Sequence, residues 1–114
     1  MPPLQWSLIE ANLDPVQGSE QRGLRPVLIV SYDEFNQAMP NVTVLPLTST
    51  QRRLYPTEVL LATGKAGQPK ESIILAHQIR TISKHRLGRQ LGYLDDLALR
   101  EAVRVAMREH LDLG

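Results

Sequence analysis

Between Gly18 and Pro26 the chain reads Gly-Ser-Glu-Gln-Arg-Gly-Leu-Arg-Pro and then runs into Val27-Leu28-Ile29-Val30. The glycines bracket a hydroxyl, a carboxylate, an amide and a guanidinium, and a second guanidinium, Arg25, stands just before the proline. These types suit a phosphate-bearing ligand: Arg offers a bidentate contact, Glu offers proton chemistry, and Ser and Gln orient. Pro26 fixes its own φ and biases Arg25 toward an extended backbone, so Arg25 sits where loop becomes strand. Binding and catalytic groups tend to lie on loops held by a rigid scaffold. The competing reading is a polar hairpin loop with solvated charges.

Two further clusters could carry chemistry. Leu47-Thr48-Ser49-Thr50 sets hydroxyls at a strand end, followed by Gln51-Arg52-Arg53, although a turn cap explains such a cluster as well. His77-Gln78-Ile79-Arg80-Thr81 puts Gln78 and Arg80 on one strand face, which is either a binding face or a solvated one. His77, His85 and His110 show no metal spacing, and the chain has no cysteine, which removes disulfides, thiolate chemistry and Cys-ligated zinc. Dinucleotide, P-loop, HExxH and nucleophile-elbow motifs are absent. If the chain is an enzyme, the expectation is a reaction without metal or cofactor.

The elements that must position these groups are short. At 114 residues the chain reads as one domain, residues 1–114, with a hydrophobic content of 42% and few aromatics, so Val, Ile and Leu build the core. No apolar run has the length of a membrane span, and Met1 to Trp6 has neither the basic start nor the apolar centre of a secretion signal. A cytoplasmic protein is expected. Strands are predicted from Trp6 toward Asp14, over Pro26–Ser31, Val42–Thr48, Pro56–Leu61, Ser72–Ala76 and Gln78–Ile82, with Tyr32 to Asn41 as a connection. Pro46 inside the third suggests an edge or a bulge. The period then changes. Asp95 is the expected N-cap, Leu94 and Leu99 are placed as a hydrophobic staple, and Leu99, Ala102, Val103, Ala106, Met107, His110 and Leu111 form an apolar helix face. On that face His110 reads as a packed core histidine. Strands followed by one terminal amphipathic helix describe a small, mostly β barrel with helical decoration.

Charge is segregated. From Gln51 to Gln90 eight Lys or Arg face only Glu58 and Glu71, a balance of +6, while the remainder carries –5. A basic face of this kind suits a polyanion such as nucleic acid, though scattered solvated cations are the plainer alternative.

Leu13-Asp14-Pro15, Gly18-Ser19-Glu20-Gln21, Arg25-Pro26-Val27, Leu47-Thr48-Ser49, Pro56-Thr57-Glu58-Val59, Gln78-Ile79-Arg80-Thr81-Ile82 and Lys84-His85-Arg86-Leu87 fall in that order along nearly the whole chain. In these motifs the chain resembles the MazF/PemK (Kid) family of type II toxin–antitoxin toxins, which are sequence-specific endoribonucleases. The chain departs from that pattern twice. Trp6-Ser7 stands where the family usually has Gly-Asp, and His77 stands where some members carry an acidic residue.

The resemblance implies a small Src-homology-3-like barrel and metal-independent cleavage of single-stranded RNA, with the ribose 2′-hydroxyl attacking its own 3′-phosphate. Arg25 and Thr48 match catalytic positions; Arg25 would stabilise the phosphorane, since a guanidinium scarcely deprotonates, and Thr48 would orient the phosphate. Glu20 is the candidate base and His77 a candidate acid or base. Ser19, Gln21, Arg22, Ser49, Arg53, Gln78 and Arg80 would hold or read the RNA. Further implied are a homodimer, and an antitoxin whose acidic, disordered tail covers the RNA groove. Two alternatives remain from other classes: a CcdB-like gyrase poison without catalysis, and a non-catalytic RNA-binding barrel.

Overall fold

The computed structural model describes residues 3–14, 23–49 and 52–114. The elements are β1 (Ser7–Asn12), β2 (Leu24–Ile29), α1 (Asp33–Ala38), β3 (Asn41–Thr48), β4 (Glu58–Leu61), β5 (Ser72–Leu75), β6 (Arg80–Ser83), β7 (Leu87–Tyr93) and α2 (Leu97–Leu111), with single 3-10 turns at Lys65–Gly67, Ala76–Gln78 and Lys84–Arg86. The strands pair antiparallel in the order β4-β5-β3-β2-β1-β7, and β6 joins the side of β3. Among the described residues β4 and β7 are the ends of this path. The expected barrel is therefore a curled sheet whose end strands are not hydrogen-bonded to each other.

Alternation along the strands builds an apolar cluster on each face. Leu8, Leu28, Leu45 and Leu47 meet Leu61, Ile74 and the α2 residues Val103 and Ala106 on one side. Ile9, Val27, Ile29, Val42, Val44 and Ile82 meet on the other. Each such buried side chain contributes about 1.5–3 kcal/mol relative to exposure.

Pro46 lies on no edge, contrary to the expectation. β3 is central, paired with β2 along one side and with β6, then β5, along the other. The Thr43 carbonyl accepts from Val30 N on the β2 side, so two-residue alternation turns the Pro46 nitrogen the other way. There it falls between the last β6 pair, Val44 with Arg80, and the first β5 pair, Leu47 with Ile74. No donor is needed at that gap.

Other boundaries also differ. β7 is an unpredicted seventh strand, because its pairing with β1 shifts register at Leu8/Ile9 and Ile9/Ala11 and so breaks the period-two pattern. Helix α1 replaces the expected connection and is held by one local and two long-range bonds: Asn36 Nδ2 donates to the Ser31 carbonyl at 2.7 Å, and Asp33 Oδ1 accepts from Leu4 N and Gln5 N. Gln78 belongs to a 3-10 turn and Arg80 to β6, so they do not share a strand face. The N-cap of α2 is Asp96, one residue beyond the expected one, and it accepts from Leu99 N at 3.1 Å. His110 is exposed rather than packed in the core.

Trp6 explains how the first departure from the family pattern is accommodated. Its φ is +72°, a left-handed conformation that glycine adopts freely and that costs another residue about 1–3 kcal/mol. Backbone bonds on both sides hold it there, from Trp6 N to Ile29 O at 2.7 Å and from Leu94 N to Trp6 O at 2.8 Å. The indole is buried, with Arg100 at 5.3 Å and Arg104 at 5.1 Å from its ring centroid, and Arg100 also lies 5.3 Å from Tyr93. Thus α2 is clamped to β7 and to the residue just before β1 through arginine–aromatic contacts. Trp6→Ala should lower unfolding stability by about 3–5 kcal/mol. Trp6→Gly, although smaller still, should lose roughly 1 kcal/mol less, because the left-handed strain is relieved. Urea denaturation of both variants checks the order; a Gly variant less stable than the Ala variant would contradict it.

Candidate active site

The β2–β3 register places the principal pair. Val27 lies opposite Pro46, and two residues further along the same antiparallel pairing Arg25 comes level with Thr48. Both line a pocket of about 220 Å³, together with Ser49, Gln68, Lys70 and Ser72. Thr48 is 6% exposed and paired through its backbone to Ile73, which fixes it as a wall of the pocket. Arg25 is half-buried and lies on the rim, where β2 emerges. A guanidinium, three hydroxyls, an amide and an ammonium group therefore converge on one concave site, a set suited to an anion of phosphate size.

Ser19, Glu20, Gln21 and Arg22 lie outside the described residues. The stems on either side of that segment are fixed. Leu13 N donates to Gly23 O at 2.9 Å, and Gly23 N donates to Asp14 Oδ1 at 3.0 Å. Arg80 Nη1 donates to the Leu13 carbonyl at 3.4 Å, while Arg86 Nη1 donates to the carbonyls of Asn12 and Asp14. Gly23 takes φ +75°, so the turn into β2 needs a left-handed residue two positions before Arg25. Arg80, expected to hold RNA, is thus engaged at the exit of β1.

A second polar cluster stands apart from this pocket. The Glu58 carboxylate has no exposed surface and takes a bidentate pair from Arg52, at 2.9 Å to Oε1 and 2.5 Å to Oε2. It also accepts from Tyr55 N at 2.9 Å. His77 Nδ1 is 3.8 Å from Glu58 Oε2 and 3.5 Å from Thr57 Oγ1, and its ring meets His110 edge-on with centroids 6.5 Å apart. Burial works to raise Glu58, but the Arg52 hydrogen bonds, the Tyr55 N–H and the nearby positive charge together hold it below the usual carboxylate range.

The structure therefore brings Arg25, Thr48 and Ser49 together. His77 is not among the residues lining their pocket; it sits between β4 and α2 with Glu58 and His110. Arg53 is exposed on the β3–β4 connection, and Gln78 is half-buried in its turn. Lys70 and Gln68, which sequence reasoning passed over, complete the pocket; a polar pair flanking Pro69 was the available signal. Glu58 and Arg52 were also missed as partners, although a carboxylate opening the apolar strand Glu58-Val59-Leu60-Leu61 pointed to a buried cation nearby. Among the described residues no group of His, Cys, Asp or Glu could hold a metal ion, and no helix is long and apolar enough to cross a membrane.

Fold and pocket define a small β protein with a polar, cation-bearing pocket at a strand end. The model of the PemK-like, MazF-like toxins of type II toxin–antitoxin systems matches residues 4–110. Endoribonuclease MazF of Staphylococcus saprophyticus is 44% identical over 92 residues, which is 80% of this chain and 77% of that protein. Among solved structures, the Mycobacterium tuberculosis toxin MazF-mt6 superposes with a TM-score of 0.79 at 32% identity, covering 95% of this chain and 98% of that one. An endoribonuclease in complex with its cognate antitoxin, from a mycobacterial species, gives 0.81 at 28% identity over 99% and 98% of the two chains. The chain belongs to the PemK-like, MazF-like toxin family of type II toxin–antitoxin systems.

The Glu58–Arg52 pair sets a pH dependence. A carboxyl held low in the folded state adds stability above its unfolded value, near 4.5, and loses that contribution as pH falls through the folded value. Arg52→Ala would leave the carboxylate buried without its cation. The unfolding midpoint should drop clearly at pH 7, and most of the difference from wild type should vanish once the pH lies below the lowered folded value, where Glu58 is protonated in both proteins. Urea titrations at the two pH values measure it; an equal deficit at both would show that the pair contributes no pH-dependent stability.

Proposed function

We propose that this chain is a metal-independent endoribonuclease that cleaves single-stranded RNA and acts as the toxin of its toxin–antitoxin pair. The observation that carries the reading is the convergence of Arg25 and Thr48 on one pocket, in a chain whose relative is named an endoribonuclease. The substrate supplies its own nucleophile, the 2′-hydroxyl, which attacks the adjacent phosphorus while the 5′-oxygen leaves. Arg25 neutralises the charge that builds on the phosphorane oxygens, and Thr48 and Ser49 orient the phosphate. Because a guanidinium can provide the cation and the substrate the nucleophile, no metal is required for this step.

Glu20 is the proposed base for the 2′-hydroxyl proton, and the departing 5′-oxygen takes its proton from water. The proposal keeps His77 out of the chemical step, since it belongs with the Glu58 cluster rather than with the pocket. Ser19, Gln21 and Arg22 would contact RNA from the segment whose stems close beside Arg25. We assign the activity to the cytoplasm, where single-stranded messages are met, and to a homodimer. The antitoxin would lay an acidic tail over the cations Arg25 and Lys70, in line with the antitoxin complex of a structural relative. A gyrase poison would have no use for this pair at the pocket.

Purified Arg25→Ala and Thr48→Ala should each cleave RNA at least roughly 10²-fold more slowly, with thermal unfolding showing that both remain folded. Wild-type cleavage should persist in excess EDTA and stop when the scissile nucleotide lacks its 2′-hydroxyl. Cleavage of the deoxy substrate, or near-wild-type rates in either folded variant, would contradict the mechanism. Sequencing the ends released from a long RNA identifies the recognised motif.

A further inference from the structure

A second pocket adjoins the first. It has a volume of about 470 Å³ and is lined by Gly67, Gln68, Pro69, Arg89, Gln90 and Leu91. Gln68 and Pro69 line both pockets, so the two share a wall. That wall is held firmly. Gly64 N donates to Gln68 O at 2.8 Å, and Gln68 N donates to Lys65 O at 3.0 Å. The turn carrying it lies so close to β7 that a Cβ on Gly92 would fall 1.7 Å from the Ala66 carbonyl oxygen. Gln68 itself is 6% exposed, although it borders both cavities.

The charges along these cavities have one sign. Arg25 and Lys70 stand in the first and Arg89 in the second, and no described residue lining either carries a carboxylate. The pocket at the end of α2 is different, since Arg108 there is accompanied by Glu109 and Asp112. Successive cations fit the repeated phosphates of one nucleic-acid strand. Pro26 and Leu47 in the first pocket, Pro69 on the wall and Leu91 in the second offer apolar surface to base faces.

We propose that the second pocket is a subsite for the same RNA strand. A nucleotide flanking the scissile one crosses the Gln68–Pro69 wall and sets its phosphate on Arg89. Gln68, common to both cavities, is placed to read the edge of the base at the crossing. The inference rests on the endoribonuclease reading and adds to it a determinant of substrate length and sequence.

Binding of random-sequence 2′-O-methyl RNAs, from trinucleotide to nonanucleotide, tests it without cleavage, because the attacking hydroxyl is blocked. Affinity should step up roughly tenfold at the length that first reaches Arg89. Arg89→Ala should flatten that step and reduce the salt slope on longer strands by about 0.7, the value for one phosphate of a single strand. Arg108→Ala, which removes a cation paired with Glu101 on α2, should keep the step. Arg89→Lys should restore part of it, which separates a lost contact from a lost fold. A wild type without the step, an Arg89→Ala protein that retains it, or equal flattening in Arg108→Ala overturns the subsite. A wild type that shows the step but cleaves no RNA refutes the endoribonuclease reading and leaves the subsite standing; cleavage without the step does the reverse.

Discussion

β2 and β3 run antiparallel with Val27 opposite Pro46, Leu28 opposite Leu45 and Ile29 opposite Val44, and the pocket depends on that register. A slip of one residue would turn Leu28 away from its own cluster and carry Arg25 past Thr48. Both faces of this part of the sheet are apolar, so a slipped pairing gains nothing on either side. It would also turn the Pro46 nitrogen toward a strand that needs a donor from it. Packing and proline chemistry thus bring Arg25 and Thr48 to the wall of one pocket without any contribution from the ligand.

The cations are sorted by this scaffold into separate tasks. Within the basic third, Arg52 is paired with Glu58, Lys65 with Asp96, and Arg80 and Arg86 with backbone carbonyls at the exit of β1. Lys70 and Arg89 line cavities instead. Fewer cations are therefore open to a polyanion than the summed charge of that third suggests. Outside that third, Arg100 and Arg104 stack over the Trp6 ring, and they also reach the Leu94 carbonyl and Glu101 respectively.

Much of this was legible in the sequence, because apolar alternation and proline boundaries are local signals. β1 to β6 and α2 fall where the pattern puts them, within a few residues. Arg25 and Thr48 were legible as strand-end polar groups, and the resemblance gave them a common purpose. β7 was hidden, since its bulged pairing with β1 erases the alternation on which prediction depends. α1 was hidden because Asp33 ties it to the distant residues Leu4 and Gln5. His110 fitted the apolar stripe by spacing, yet it lies near the helix end, beyond the buried Val103 and Ala106. The Arg52–Glu58 pair joins residues six apart across an irregular connection, a relation that periodicity does not express. Trp6 needed its φ to be seen before its place in the pattern made physical sense.

If the β2–β3 register makes Arg25 and Thr48 act on one phosphorane, their contributions should not be independent. Single-turnover cleavage by Arg25→Ala, Thr48→Ala and the double variant measures this directly. Groups that stabilise the same transition state as a unit are strongly non-additive, so the double variant should be scarcely slower than the slower single one. Losses that multiply in full would mean that the two side chains act separately, and the central claim would be wrong.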